Sequence, residues 1–351
     1  MRSWPTTIDR RSTPSGAMPV FAALLACSSA IAPASVGAQD FQVRGYADLR
    51  VVAAADEVSW IRGGLGKTRY GSGDNGAHFA GGALTATWQI TPSLLGVADL
   101  SYQSQTHSTA SLLEAFVRYR PVSTSAWRWS FKAGEFFPPI SLENDAIGWT
   151  SPWTLTPSAI NSWVGEEMRT IGGEFRIEHR GDTNTLEGAI ALFRSNDPLG
   201  EILASRGWSL SDLTSGIGSR LREPDVYAEQ IGTTPPRRFN PFLEIDHRVG
   251  FYADVTWRSP EFGRATLLYY DNRADPSASH PFGYDDELYA WRTHFSSLGV
   301  QSGTGNLVLI GARALADVTH DPVERCCDAK RAVISFETLQ PLLGQVVLEF
   351  G

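Results

Sequence analysis

Residues His247 to Arg258 read HRVGFYADVTWR. Val249, Phe251, Ala253, Val255 and Trp257 fall on one parity, and Arg248, Gly250, Tyr252, Asp254, Thr256 and Arg258 on the other. Successive side chains of an extended strand point to opposite faces, so this alternation reads as a strand with one apolar and one polar face. Trp127, Trp129, Phe131 and Ala133 alternate in the same way with Arg128, Ser130 and Lys132. So do Leu113, Ala115, Val117 and Tyr119 with Glu114, Phe116, Arg118 and Arg120, and Ile171, Gly173, Phe175 and Ile177 with Glu174, Arg176 and Glu178.

Working outward, the pattern predicts thirteen strands: near 41 to 53, 77 to 90, 93 to 104, 110 to 120, 126 to 137, 168 to 180, 184 to 196, 247 to 258, 261 to 272, 287 to 301, 305 to 318, 330 to 339 and 344 to 351. Their connections alternate in length. Thr91-Pro92, Pro121 to Ser125, Gly181 to Thr183 and Ser259-Pro260 are tight turns made of turn residues. Ala54 to Gly76, Pro138 to Glu167 and Asp197 to Asp246 are long. Short turns on one side and long loops on the other describe an all-β, antiparallel up-and-down meander. Water cannot satisfy an open sheet edge in hydrocarbon, and tilted spanning strands need about nine to eleven residues, the size of these segments. The reading is therefore a transmembrane β-barrel occupying residues 39–351, with long external loops at 54–76, 138–167 and 197–246. A thirteenth strand ending at Gly351 leaves an odd count and an unpaired edge, so the expected intact barrel has 14 or 16 strands, with the C-terminus truncated.

The rest of the sequence fits export. Arg2, Arg10 and Arg11 precede an apolar stretch from Met18 to Ala32, and Val36-Gly37-Ala38 supplies small residues for cleavage, so residues 1–38 read as a signal peptide. The 351-residue chain has a net charge of -8, which argues against a nucleic-acid partner. Three cysteines are too few for a disulfide framework, and the adjacent Cys326 and Cys327 read as surface-loop residues. No serine-nucleophile elbow, zinc-helix or phosphate-loop motif is present, and the seven histidines show no metal-ligand spacing; the expectation is a chain with no enzymatic activity, metal or other cofactor.

On this strand alternation and loop rhythm across residues 39 to 351, the chain resembles a Gram-negative outer-membrane porin. The resemblance implies a bacterial outer-membrane channel for passive diffusion of small hydrophilic solutes or ions, surrounded by lipid and lipopolysaccharide and compatible with a homotrimer. It also implies that the loop after the fifth strand folds into the channel and narrows it. That loop carries Glu143, Asp145, Glu166 and Glu167 beside Trp149, Trp153 and Trp163, so these carboxylates are the expected constriction residues. Parity places Arg118, Arg120, Arg128, Lys132, Glu114, Glu174, Arg176, Arg248, Asp254, Arg258 and Arg292 along the pore. Basic groups outnumber acidic ones on this face, which implies mild anion preference, because rings of side-chain charge favour counter-ions. Two other readings stand beside the channel: a non-conducting structural or adhesive barrel, and a soluble secreted carbohydrate-active β-protein whose apolar parity is buried between sheets.

Overall fold

The computed structural model describes residues 41–105, 110–282, 286–304, 307–319 and 330–341, with side chains as far as Gly303. Twelve strands form one antiparallel sheet: β1 (Phe41–Val52), β2 (Gly76–Thr91), β3 (Leu94–Gln103), β4 (Ala110–Tyr119), β5 (Trp127–Phe136), β6 (Thr170–Arg180), β7 (Thr185–Arg194), β8 (Gly250–Ser259), β9 (Gly263–Asp271), β10 (Arg292–Thr304), β11 (Leu307–Thr319) and β12 (Lys330–Pro341). Each is bonded to its sequence neighbours, so the order in the sheet is the order in the chain. Twelve expected strands thus have their counterparts. The expected thirteenth, near 344 to 351, and the leader at 1–38 lie outside the described residues. Among the described residues β1 and β12 do not pair with each other, and the sheet is open there.

Two strand starts differ from the sequence reading. The expected strand at 287 begins instead at Arg292, because Asp286–Tyr289 pairs with Ser279–Phe282 in a separate hairpin. The N–H groups of Ala290 and Trp291 are then taken by the carbonyls of Ala278 and Asp197. The strand expected at His247 starts at Gly250; His247 has a left-handed φ of 61°, which turns the chain before the ladder begins.

The two faces of the sheet are distributed inside out relative to a water-soluble protein. Val255, Leu267 and Ile190 are 51%, 56% and 52% exposed, whereas Asp254, Glu187 and Glu174 are 3%, 6% and 4% exposed. Burying carboxylates while leaving branched apolar residues bare is unfavourable in water and favourable when the outer medium is hydrocarbon. Aromatic residues gather at the short-turn end of this apolar face: Phe41 pairs with Trp88, Tyr119 packs 5.7 Å from Trp129, and Trp257 stacks 6.4 Å from Phe262.

Contacts from one loop show that the sheet curls. The Gly148 amide donates to Asp99 on β3 at 3.2 Å, and Leu142 packs against Gly299 on β10, its Cδ1 2.8 Å from where a side chain there would begin. Six residues of chain reach at most ~21 Å. In a flat sheet β3 and β10 would lie seven spacings, ~34 Å, apart. The polar face must therefore be concave, wrapped around residues 138–167.

Candidate functional site

The concave face has two contrasting ends. Toward the long loops it is filled. Pro138 and Pro139 end the β5 ladder, since proline offers no N–H, and the chain turns inward. Phe137 stacks on Trp149 at 4.2 Å, and its N–H donates to Glu114 Oε1 at 2.8 Å. Helix α1 (Ala159–Glu167) follows, buried on every side, and its Trp163 packs edge-on to Phe295 of β10 at 6.0 Å. Residues 197–246 close over it with two short helices, α2 (Glu201–Arg206) and α3 (Asp225–Gln230), and a two-residue strand pair, Leu221–Arg222 with Arg238–Phe239. Leu199, Ile202, Leu213 and Phe239 join Ile160, Trp163, Val164 and Met168 in one apolar core with Phe193, Tyr252, Leu268 and Tyr270 of the wall.

The loop after β5 is thus infolded, as the resemblance implies, but three of its four expected constriction carboxylates do not face a channel. Glu143 holds the start of α1, accepting from Ser158 N at 3.0 Å and Asn161 Nδ2 at 2.7 Å. Glu166 pairs with Arg206 at 2.7 Å, both fully buried, and burial pushes its carboxyl up. Glu167 accepts from Trp163 Nε1 at 2.7 Å and Ile202 N at 2.9 Å; burial pushes it up to about 8. The helical period turns these residues into the loops' own core. Asp145 alone is exposed. Arg169, unanticipated by the sequence reading, locks this assembly to the wall: its guanidinium lies 3.4 Å from the Phe137 ring and donates to the carbonyls of Leu113 at 3.0 Å and Ser215. Asn196 and Arg237 do similar work. Asn196 donates to Glu167 O at 2.6 Å, and Arg237 bonds Glu201 at 2.9 Å, Asp286 at 2.6 Å and Glu223.

Toward the short turns the concave face is open and basic. Arg118, Arg120, Arg128, Arg176, Arg258 and Arg264 line one cavity of about 340 Å³, with Glu178, Glu187 and Pro139. Strand register explains the gathering. Arg118 faces Lys132 and then Glu174 across β4, β5 and β6; two residues nearer the turns Arg176 faces Ser130; Arg258 faces Arg264 across β8 and β9. Arg264 extends the expected set on the same parity.

Several members of the expected pore lining are neutralised within the wall. Lys132 sits 3.8 Å from the Phe136 ring centroid and 3.5 Å from Glu174. Arg176 bonds Asp254 at 3.1 Å and Glu187 at 3.2 Å, and Arg258 also pairs with Glu187. The Tyr252 hydroxyl donates to Glu174. Glu114 anchors the base of the infolded loop through Phe137. Arg248 and Arg292 do not belong to the lining: Arg248 precedes β8 and pairs with Asp275 at 2.5 Å, and Arg292 is exposed, on the parity of outward Leu298 and Val300, 3.4 Å from Asp271.

A second cavity, about 250 Å³, lies between β1–β3 and the infolded loop, and its charges are matched. Arg50 bonds Asp48 and Asp212 at 2.5 Å each, and Arg69 bonds Asp212 at 3.1 Å. Asp197, Glu244 and Asp246 bring carboxylate oxygens within 4.8 Å of one another, but Asp197 is already satisfied by the N–H groups of Ile245 and Asp246. Among the described residues no helix is long and apolar enough to cross a membrane.

No family model and no curated protein matches the chain. Among solved structures, a complex of Salmonella typhi OmpF with daunomycin is similar to 86% of this chain, over 86% of its own, at 9% identity and a TM-score of 0.36.

Proposed function

We propose that the chain is an outer-membrane β-barrel acting as a porin-like channel for passive diffusion of small hydrophilic solutes or ions, with mild anion preference and without catalysis. One observation carries the reading: the sheet bares its apolar parity and curls its charged parity around an infolded loop. The soluble sugar-active alternative requires the opposite burial. In this reading lipid and lipopolysaccharide meet the apolar face, and solutes meet the basic end of the concave one. The filled loop-side end favours a second reading, a barrel that stays shut until residues 197–246 move.

The test is reconstitution of the full chain into a planar bilayer across a KCl gradient. Discrete conductance steps with a reversal potential of anion sign are expected, and Arg118→Gln with Arg120→Gln and Arg128→Gln moves that potential toward cations. Solubility without detergent, with no heat-dependent change in gel migration, would overturn the barrel. Heat-modifiable protein that never conducts would select the shut form. The mass of the same detergent preparation decides between monomer and the trimer that the resemblance implies.

A further inference from the structure

We infer that the arginine-lined cavity at the short-turn end binds small multivalent oxyanions, of the diphosphate or tricarboxylate kind. The inference deepens the channel reading and rests on it for which face of the sheet meets water. Its ground is a contrast in how cations are held. Elsewhere on the concave face Arg50 and Arg69 are matched by Asp212, Arg206 by Glu166, Arg237 by Glu201, and Lys132 by Glu174. In this cavity Arg118, Arg120, Arg128 and Arg264 have neither a carboxylate within 4.0 Å nor a side-chain hydrogen bond among the described residues, whereas Arg176 and Arg258 are paired.

Six guanidiniums against two carboxylates leave an excess of four positive charges around about 340 Å³. Arg258 and Arg264 stand directly opposite each other on neighbouring strands, an arrangement of like charges that Glu187 offsets on the Arg258 side only. A guanidinium is a planar donor that binds carboxylate or phosphate oxygens in pairs, and it has no acceptor of its own. An anion with several oxygens would therefore satisfy these donors and offset the repulsion together. A monovalent ion would leave most of the excess charge in place. The volume lies at the small end of ligand pockets, enough for more than one phosphoryl or carboxylate group. Because the arginines point to the concave face, the ligand is a dissolved solute and not a lipid headgroup.

The test is calorimetric titration of the detergent-folded full chain with inorganic diphosphate at constant ionic strength, beside chloride. Saturable diphosphate binding is expected. Arg118→Gln with Arg128→Gln should weaken it about tenfold or more, the scale of lost charge-assisted hydrogen bonds. Arg264→Gln alone, on the opposite wall, should weaken it by a smaller factor and serves if the double variant does not fold. Arg62→Gln, at an exposed loop arginine paired with Asp74, should leave it unchanged. Absence of saturation at constant ionic strength, or equal affinity in wild type and Arg264→Gln, overturns the site. Diphosphate binding by a protein that does not conduct keeps this inference and removes the channel; conduction without saturable binding does the reverse.

Discussion

The two ends of the concave face share the same strands yet are built by different chemistry. On β8, Tyr252 near the loops lies in an aromatic stack with Phe193, Tyr270 and Phe295, while Arg258 near the turns faces open space beside Arg264. The loop end is a small protein core turned into a lining, in which Glu166 is matched by Arg206 and Glu201 by Arg237. At the turn end Arg176 and Arg258 are paired, while Arg118, Arg120, Arg128 and Arg264 are left without a carboxylate within ion-pair distance. One amphipathic strand thus serves a packed interior at one end and an open one at the other, with a belt of matched groups, Glu174, Arg176 and Asp254, between them.

The largest expected effect breaks the dry end. Arg206→Ala leaves Glu166 buried and uncompensated, so loss of about 3–5 kcal/mol from the loop core is expected. Hydrogen exchange should quicken across α1 and α2 and stay slow in β5 to β8. Equal loss of protection in those strands would show that the two ends are a single cooperative unit. The next effect tests the outer face that both ends share. Ile190→Arg, at the middle of β7, should cost about 2–4 kcal/mol for folding into lipid vesicles, the penalty for a cation at the bilayer midplane. An effect below about 0.5 kcal/mol, the range of ordinary surface substitutions, would mean that this face does not meet lipid.

The third effect is a pH dependence confined to the dry end. Burial raises the Glu167 carboxyl from 4.5 to about 8, so between those values the folded chain holds a proton that the unfolded chain has released. Its contribution is therefore complete below about pH 4.5 and is lost as pH rises through 8. Melting followed by intrinsic tryptophan fluorescence should start earlier at pH 9 than at pH 6. Glu167→Gln should flatten that difference, and a dependence that survives the substitution would assign it to another group.

Much of the sheet was legible in the sequence because parity is a local property. The Val255 and Asp254 faces follow from neighbouring residues alone, and Thr91-Pro92 or Gly181 to Thr183 announce their turns. What parity could not supply was where a strand begins inside a polar stretch. Arg292 shares the parity of outward Leu298 and Val300 at the start of β10, which begins only after the hairpin of Ser279–Phe282 with Asp286–Tyr289, and His247 turns the chain just ahead of β8. Glu143, Glu166 and Glu167 lie in the infolded segment, where their roles depend on a short helix and, for Glu166 and Glu167, on partners more than thirty residues away, Arg206 and Ile202. Arg169 and Asn196 carried no sequence signal at all, since each acts by bonding backbone carbonyls of distant segments. By contrast, the cluster of Arg118, Arg120 and Arg128 was visible as it stood, because a tight turn keeps β4 and β5 in register.

The ion pair between Arg50 on β1 and Asp212 joins positions 162 residues apart. The first of the described strands thus makes a side-chain ion pair with a segment that lies beyond the first seven strands of the sheet in the chain. Contacts of such sequence separation are slow to form, because a long loop must close before any of them is gained. Assembly should therefore proceed with the N-terminal edge waiting, and with the inner segments seated before the wall is drawn around them.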